Sequence, residues 1–389
     1  MFTTVRGMLP RTFYGFMILL VLVPLSGMLA PAAANAADRS VRCVVERPIS
    51  VSIDPSRPDD RSSRIYGELC ATPWELHKGT TVQFLIHGAT YNHTYWDFTV
   101  DGLSYSYARD AAARGFPTFA IDQIGYGQSS KPVGSQETIE VAAFVDHQVV
   151  QGLKNGSITG TRFGKVIEMG HSFGSIATWK EAITYGDVAG VIITGELHHF
   201  TQTDTTALQQ DFYPANQDPK FANIGGLSDY QTTRPGTRAP LFYNTADADP
   251  KVITADESET PPVSFANERG KDVFPTGELD GLVLLSSMGT QAIHVPVLLI
   301  QGSNDFLFSC GVTYNCSSGS VLVQEEGQYY SPQAHLRACS VSSSGHDISL
   351  HRNHEVQVID AIAWSYSFIG QGQDGNGHRG NWPPQGCSD

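Results

Sequence analysis

Gly170-His171-Ser172-Phe173-Gly174 sets a serine between glycines two positions to either side. A serine hydroxyl is a weak nucleophile until it is lifted clear of its surroundings and a base takes its proton. The pattern meets the first condition when it follows a buried strand and opens a helix. The backbone then turns sharply under strain, and side chains at the flanking positions would collide with the turn. Both contexts are legible. Residues 165–169 (KVIEM) form an apolar, strand-like run, and a helix-length stretch starts at Ser175. The helix N-terminus behind Ser172 offers unpaired N–H groups and the positive end of its dipole, an environment that stabilises an oxyanion.

On such a turn the partners follow in chain order serine, acid, histidine. The apolar run 295–301 ends in Gly302-Ser303-Asn304-Asp305, and Ser344-Gly345-His346-Asp347 follows the last strand-like run. This assigns Asp305 as the orienting carboxylate and His346 as the base. Glu196, at the end of the run 188–194, is the alternative orienter, whereas Asp347 stands too close to His346 in the chain. His351 and His354 read as structural or solvent-facing, and His198 and His199 as possible pocket walls. An oxyanion hole needs two backbone donors. One is the N–H of Phe173. The other belongs to the His87-Gly88-Ala89-Thr90 loop, with Ala89 preferred over Thr90. Tyr91 is pocket wall or core, and Trp96 core.

These residues need a scaffold. Apolar runs at residues 81–86, 116–121, 165–169, 188–194, 295–301 and 335–341 fit strands buried on both faces of a parallel sheet. Shorter strands are expected at 41–45, 51–53 and 64–69. Helices are expected at 137–153 and 175–185, with one ending near Arg114 and a late aromatic one at 361–368. The alternation predicts an α/β fold: a mostly parallel, twisted sheet with helices on both faces. It breaks between residues 199 and 289, a stretch rich in Thr, Asp, Pro, Asn and Gly with short helical pieces at 205–211 and 279–288. So long a strandless stretch predicts an inserted cap. Its aromatics Phe200, Phe212, Tyr213, Phe221, Tyr230, Phe242 and Tyr243 either shape a pocket or form the cap's own core.

The ends read differently. Arg6 and Arg11 precede an apolar run at residues 13–23, and Ala34-Asn35-Ala36 has the form a signal peptidase accepts. The expected organisation is a signal peptide at 1–36 and core at 37–198. The cap follows at 199–289, more core at 290–369, and a Gly/Pro-rich tail at 370–389. The run is short for a spanning helix, so no stable membrane anchor is expected after cleavage. Export makes the even count of six cysteines, Cys43, Cys70, Cys310, Cys316, Cys339 and Cys387, a disulfide framework. Proximity favours Cys310–Cys316. Cys43–Cys70 would tie two N-terminal strands and Cys339–Cys387 would pin the tail, although fifteen connectivities are possible. No C-x-x-C pair or paired histidine spacing points to a metal, and no cofactor is expected. A formal charge of −14 on 389 residues repels phosphate backbones, so nucleic acid is not expected as a partner.

The segments HGATYNHTYW, AIDQIGYGQSS, GHSFGS, LLIQGSNDFLF and SSSGHD resemble signature regions of the α/β-hydrolase superfamily. Asp122, Gly125, Gly127 and Ser129 resemble its structural D-x-x-G-x-G-x-S turn. The resemblance covers residues 43–368 apart from the cap, and extends to secreted actinobacterial members. It implies an eight-stranded sheet and Ser–His–acid hydrolysis without a metal. The expected activity is hydrolysis of a small carboxylic ester or lactone through an acyl-enzyme on Ser172. A proline-type aminopeptidase or a non-catalytic binding module on the same fold are the alternatives.

Overall fold

A computed structural model describes residues 40–200, 202–258 and 270–371. The expected signal peptide, Glu259, Cys387 and nearly all of the tail lie outside these residues. Thr81–Ile86 (β4) shows why the sheet forms where it does: all six residues of TVQFLI are buried. A strand with no polar face must be covered on both sides.

In chain order the first strands are β1 (Arg42–Val45), β2 (Ile49–Val51), β3 (Ser63–Ala71) and β4, followed by a hairpin of β5 (Phe98–Val100) and β6 (Leu103–Tyr105). Then come β7 (Thr118–Asp122), β8 (Lys165–His171) and β9 (Gly190–Thr194), and last in the main sheet β13 (Val297–Gly302) and β14 (Arg337–Val341). Between these last pairs stand β10 (Phe212–Pro214), β11 (Tyr230–Thr233) and β12 (Phe274–Pro275). The main sheet has nine strands in the order β1-β3-β7-β4-β8-β9-β13-β14, with β2 also on β3. Every pairing from β7 to β14 is parallel, and β1, β2 and β3 pair antiparallel. Chain order reverses around β4, whose neighbours are β7 on one side and β8 on the other. In open α/β sheets such a switch point leaves a crevice at the carboxyl ends of the strands.

The helices are α1 (Tyr107–Ala113), α2 (Ile139–Asn155), α3 (Phe173–Thr184), α4 (Gln202–Asp211), α5 (Arg238–Phe242), α6 (Pro250–Asp256), α7 (Leu279–Leu284), α8 (Gly319–Glu326) and α9 (Glu355–Phe368). α1 packs with α9, and α2 with α3. Among the described residues no helix is long and apolar enough to cross a membrane.

Two features differ from the sequence reading. The β5–β6 hairpin turns on Asp101-Gly102, both with positive φ (47° and 81°), the dipeptide that favours a two-residue turn. The segment between β9 and β13 is not strandless: β10, β11 and β12 form a small antiparallel sheet. Strands of two to four residues are too short to register a period. The aromatics there divide. Phe212, Phe242 and Tyr243 join the main core, and Phe221 and Tyr230 form a second cluster with Ala215, Leu227 and Val273.

Disulfides join Cys43 to Cys70, which face each other in the β1–β3 register, and Cys310 to Cys316. Cys339 is also disulfide-bonded. The Asp122 turn holds the chain by backbone capture. The Asp122 carboxylate accepts from the N–H of His93 (2.8 Å) and of Gln128 (2.7 Å), and the His93 ring lies 2.6 Å away.

Candidate active site

β8 ends at His171 and α3 begins at Phe173, so Ser172 alone makes the turn. Its backbone sits at φ 51°, ψ −123°, which costs a non-glycine residue about 1–3 kcal/mol. The surroundings hold it there. Ser172 N donates to Thr194 O at 2.9 Å, and Ser172 O accepts from Ser175 N at 2.7 Å. The flanking glycines are required by backbone contact. A Cβ on Gly170 would lie 2.3 Å from Gly174 O, and one on Gly174 would lie 2.4 Å from both Ile86 O and His87 O. These contacts also press the loop after β4 against the elbow.

Asp305 follows β13 and His346 follows β14, and the two parallel strands bring the loops together. Asn304 N donates to Ser344 O at 2.9 Å, and a Cβ on Gly302 would meet Gly345 O at 2.1 Å. His346 Nδ1 donates to Asp305 Oδ2 at 2.8 Å, with both side chains buried. Gln301 Nε2 donates to the same oxygen at 2.7 Å, and Leu307 N to Oδ1 at 3.0 Å. Cys310 N donates to Asp305 O at 3.0 Å, so the Cys310–Cys316 loop stiffens the acid's own turn. Burial disfavours the His346 imidazolium, but the charge of Asp305 and its hydrogen bond outweigh it and raise the ring above its ordinary pKa.

Glu196 makes no contact of this kind with His346. Its Oε1 accepts from Leu197 N at 3.2 Å, and burial pushes the carboxyl well above its usual range, with Asp305 and Glu326 adding repulsion. It is a neutral acid in the pocket wall. Asp347 turns away from its neighbour. Its Oδ1 lies 3.2 Å from His171 Nε2, and its Oδ2 is hydrogen-bonded to the Tyr91 hydroxyl. Tyr91 also reaches Asp256 Oδ2 at 2.9 Å. Asp256 is paired on both oxygens with the buried Arg238 at 2.9 Å. Arg238 donates onward to Thr90 Oγ1 at 2.8 Å and lies 4.2 Å from the Tyr91 ring centre. Proton counting constrains this chain. Tyr91 has one proton for the two carboxylate oxygens it meets, and Asp256 is already paired with Arg238, so Asp347 is the member that carries a proton. Burial, with repulsion from Asp256, accordingly pushes Asp347 up to about 7.

Gly88, Ala89, Ser172, Phe173, Glu196 and His346 line one pocket, closed by apolar side chains of Phe200, Leu208, Phe212, Phe242, Leu282, Leu307 and Phe308. The pocket opens to solvent, and about 430 Å³ of space, part of it open solvent, lies among these side chains. Ser172, Phe173, Ala89 and His346 therefore meet in one place, and Asp305 stands behind His346. Thr90, the alternative donor, is not among the residues lining the pocket; its hydroxyl accepts from Arg238 and its carbonyl from Asp272 N, each at 2.8 Å. Trp96 is in the core.

His198 and His351 are structural. His198 does not wall the pocket; its ring is stacked between Trp179 (4.4 Å) and Tyr329 (4.2 Å) and paired with Glu326 at 2.6 Å. His351 is buried, not solvent-facing. Its Nε2 accepts from Asn244 N and Gly345 N, each at 3.0 Å, which fastens the His346 loop to the insertion. Arg238 and Asp256 escaped the sequence reading, because a lone arginine and a distant aspartate carry no local signal.

A parallel sheet with a strained strand–serine–helix turn at its switch point defines a class of hydrolases. The sequence matches the Alpha/beta hydrolase family over residues 83–361, more than half its length, and the chain belongs to that family. Similar solved structures include a carboxyl esterase from Bacillus coagulans (15% identity, TM-score 0.54, covering 85% of this chain and 99% of that one). They also include an esterase from Thermogutta terrifontis (16%, 0.52, 82% and 97%). A third is a haloalkane dehalogenase variant from Bradyrhizobium elkanii (13%, 0.50, 83% and 96%). At these identities the likeness is one of fold. No curated protein matches the chain in sequence.

Proposed function

We propose that this hydrolase is a secreted serine esterase that cleaves a small carboxylic ester or lactone through an acyl-enzyme on Ser172. The observation that carries this reading is the buried His346–Asp305 pair opening onto the pocket on whose edge Ser172 is held at positive φ. His346 takes the Ser172 proton as the hydroxyl attacks the carbonyl carbon, and Asp305 steadies the imidazolium. The N–H groups of Phe173 and Ala89 hold the oxyanion. His346 returns the proton to the leaving alcohol. Water, deprotonated by the same ring, then releases the acid.

The nucleophile's identity separates this reaction from that of a dehalogenase or epoxide hydrolase, in which a carboxylate attacks carbon. Position 172 is serine. An aminopeptidase would need anionic groups for the substrate amine, and the acid in the pocket wall, Glu196, is held neutral by burial. The Cys43–Cys70 and Cys310–Cys316 disulfides and the leader-like N-terminus support secretion. The test is turnover of a short-chain nitrophenyl ester by the purified protein and by Ser172→Ala. At least a thousandfold loss of kcat is expected, and equal rates would end the reading.

A further inference from the structure

On the far side of α3 from the pocket lies a cluster of acids that the proposed reaction does not use. α2 contributes Asp146 and His147, β8 Glu168, α3 Glu181, and the turn after α3 Asp187. Asp146, Glu168 and Glu181 are buried. Among the described residues Asp146 Oδ2 and Asp187 Oδ1 receive no aligned hydrogen bond, and the only side-chain hydrogen-bond partners near Glu168 and Glu181 are the Thr178 hydroxyl and Asp187. Against these four carboxylates stand His147 and Lys154, whose Nζ donates to the Asp187 carbonyl at 2.8 Å. An isolated buried carboxylate is among the costliest groups a protein can hold without a partner or a metal.

The geometry points to a divalent cation site formed by His147, Glu181 and Asp187, with zinc as the first candidate and manganese the second. His147 Nδ1 lies 3.0 Å from Asp187 Oδ2 and 3.9 Å from Glu181 Oε1, and all three ligand atoms fall within 4.8 Å of one another. These separations bracket the edge of about 3.4 Å expected for a tetrahedron with bonds of about 2.1 Å. One imidazole with two carboxylates suits these cations better than the all-oxygen sets of calcium or magnesium. The surroundings hold the ligands in place. The Tyr185 ring stacks on His147 at 4.1 Å, and Gln151 Nε2 donates to Asp187 Oδ2. Side-chain exposures of 26% for His147 and 15% for Asp187 leave a route in from solvent.

The cation would clamp α2 to the C-terminal end of α3. Glu181 is nine residues, roughly 14 Å along the axis, from the serine at the other end of that helix, so the site is structural. It runs against the expectation of no metal, because its ligands come from three separate segments and leave no spacing signature.

The test uses the full chain without an affinity tag, stripped with EDTA and titrated with zinc chloride, then manganese chloride, by calorimetry. Bound metal is counted by plasma mass spectrometry. One equivalent per chain and a rise in Tm on refilling are expected, with Kd weakened at least tenfold in both His147→Ala and Asp187→Asn. No stoichiometric uptake by the stripped wild type overturns the proposal, as does uptake undiminished in both variants. So does stabilisation by Glu181→Gln in a protein that takes no metal, since shared protons would then neutralise the cluster.

Discussion

A single imidazole sets the working pH. His346 titrates above the ordinary value of about 6.5, because the charge and hydrogen bond of Asp305 overcome the effect of burial. Attack needs the neutral ring, so kcat/KM is expected to fall as pH drops through a midpoint above that value, read from a pH–rate profile. Asp305→Asn is expected to lower kcat by about 10³–10⁴ and Glu196→Gln by less than about tenfold. The reverse ranking would move the orienting role to Glu196. Asp347 allows a separate test. An asparagine amide, like a protonated acid, offers one donor and one acceptor to His171 and Tyr91. Asp347→Asn is therefore expected to keep stability within about 0.5 kcal/mol at neutral pH, and Asp347→Ala to lose about 2 kcal/mol, measured by urea unfolding. The sign with pH follows from the raised folded pKa. The protonated Asp347 contributes stability that is full below its unfolded value near 4 and is lost as pH rises through about 7. The asparagine variant should thus gain on the wild type as pH rises from about 4 to about 7 and keep that gain above it. A variant that falls further behind would mean that Asp347 is held as a carboxylate.

Among the elements, the joint between β8 and α3 matters most. The sheet sets its height, because β8 pairs with β4 on one side and β9 on the other. The loop after β4 sets its floor, because Gly174 sits against the Ile86 and His87 carbonyls. Backbone cannot swing away as a flexible side chain can. Gly174→Ala is expected to cost at least about 2 kcal/mol in urea unfolding and to depress esterase kcat at least tenfold. A variant of wild-type stability and rate would show that the floor yields.

At the scale of the whole molecule the pocket is a joint product. The main sheet contributes Ser172, Glu196 and His346 from the ends of strands, and the segment between β9 and β13 contributes Leu208, Phe212, Phe242 and Leu282. Those apolar side chains crowd the space beside Ser172, which favours a short acyl group over a long one. Kinetics across nitrophenyl esters are expected to give kcat/KM at least tenfold higher for acetyl to butyryl chains than for palmitoyl. Equal values would mean that the walls open.

The local pattern alone determined the strand runs, the α/β alternation and the elbow. A doubly buried strand must be largely apolar, and only glycine fits two positions to either side of Ser172. Asp305 and His346 could be named because strand ends are readable and the chain order is constrained. Tertiary structure decided which acid meets His346, that Glu196 stays neutral in the wall, and that Arg238, Asp256, Tyr91 and Asp347 form one buried chain of hydrogen bonds. It also divided the insertion's aromatics between pocket and core. The reason is common to all of these. A burial penalty or a proton's position depends on neighbours that are distant in sequence, and no local spacing records them.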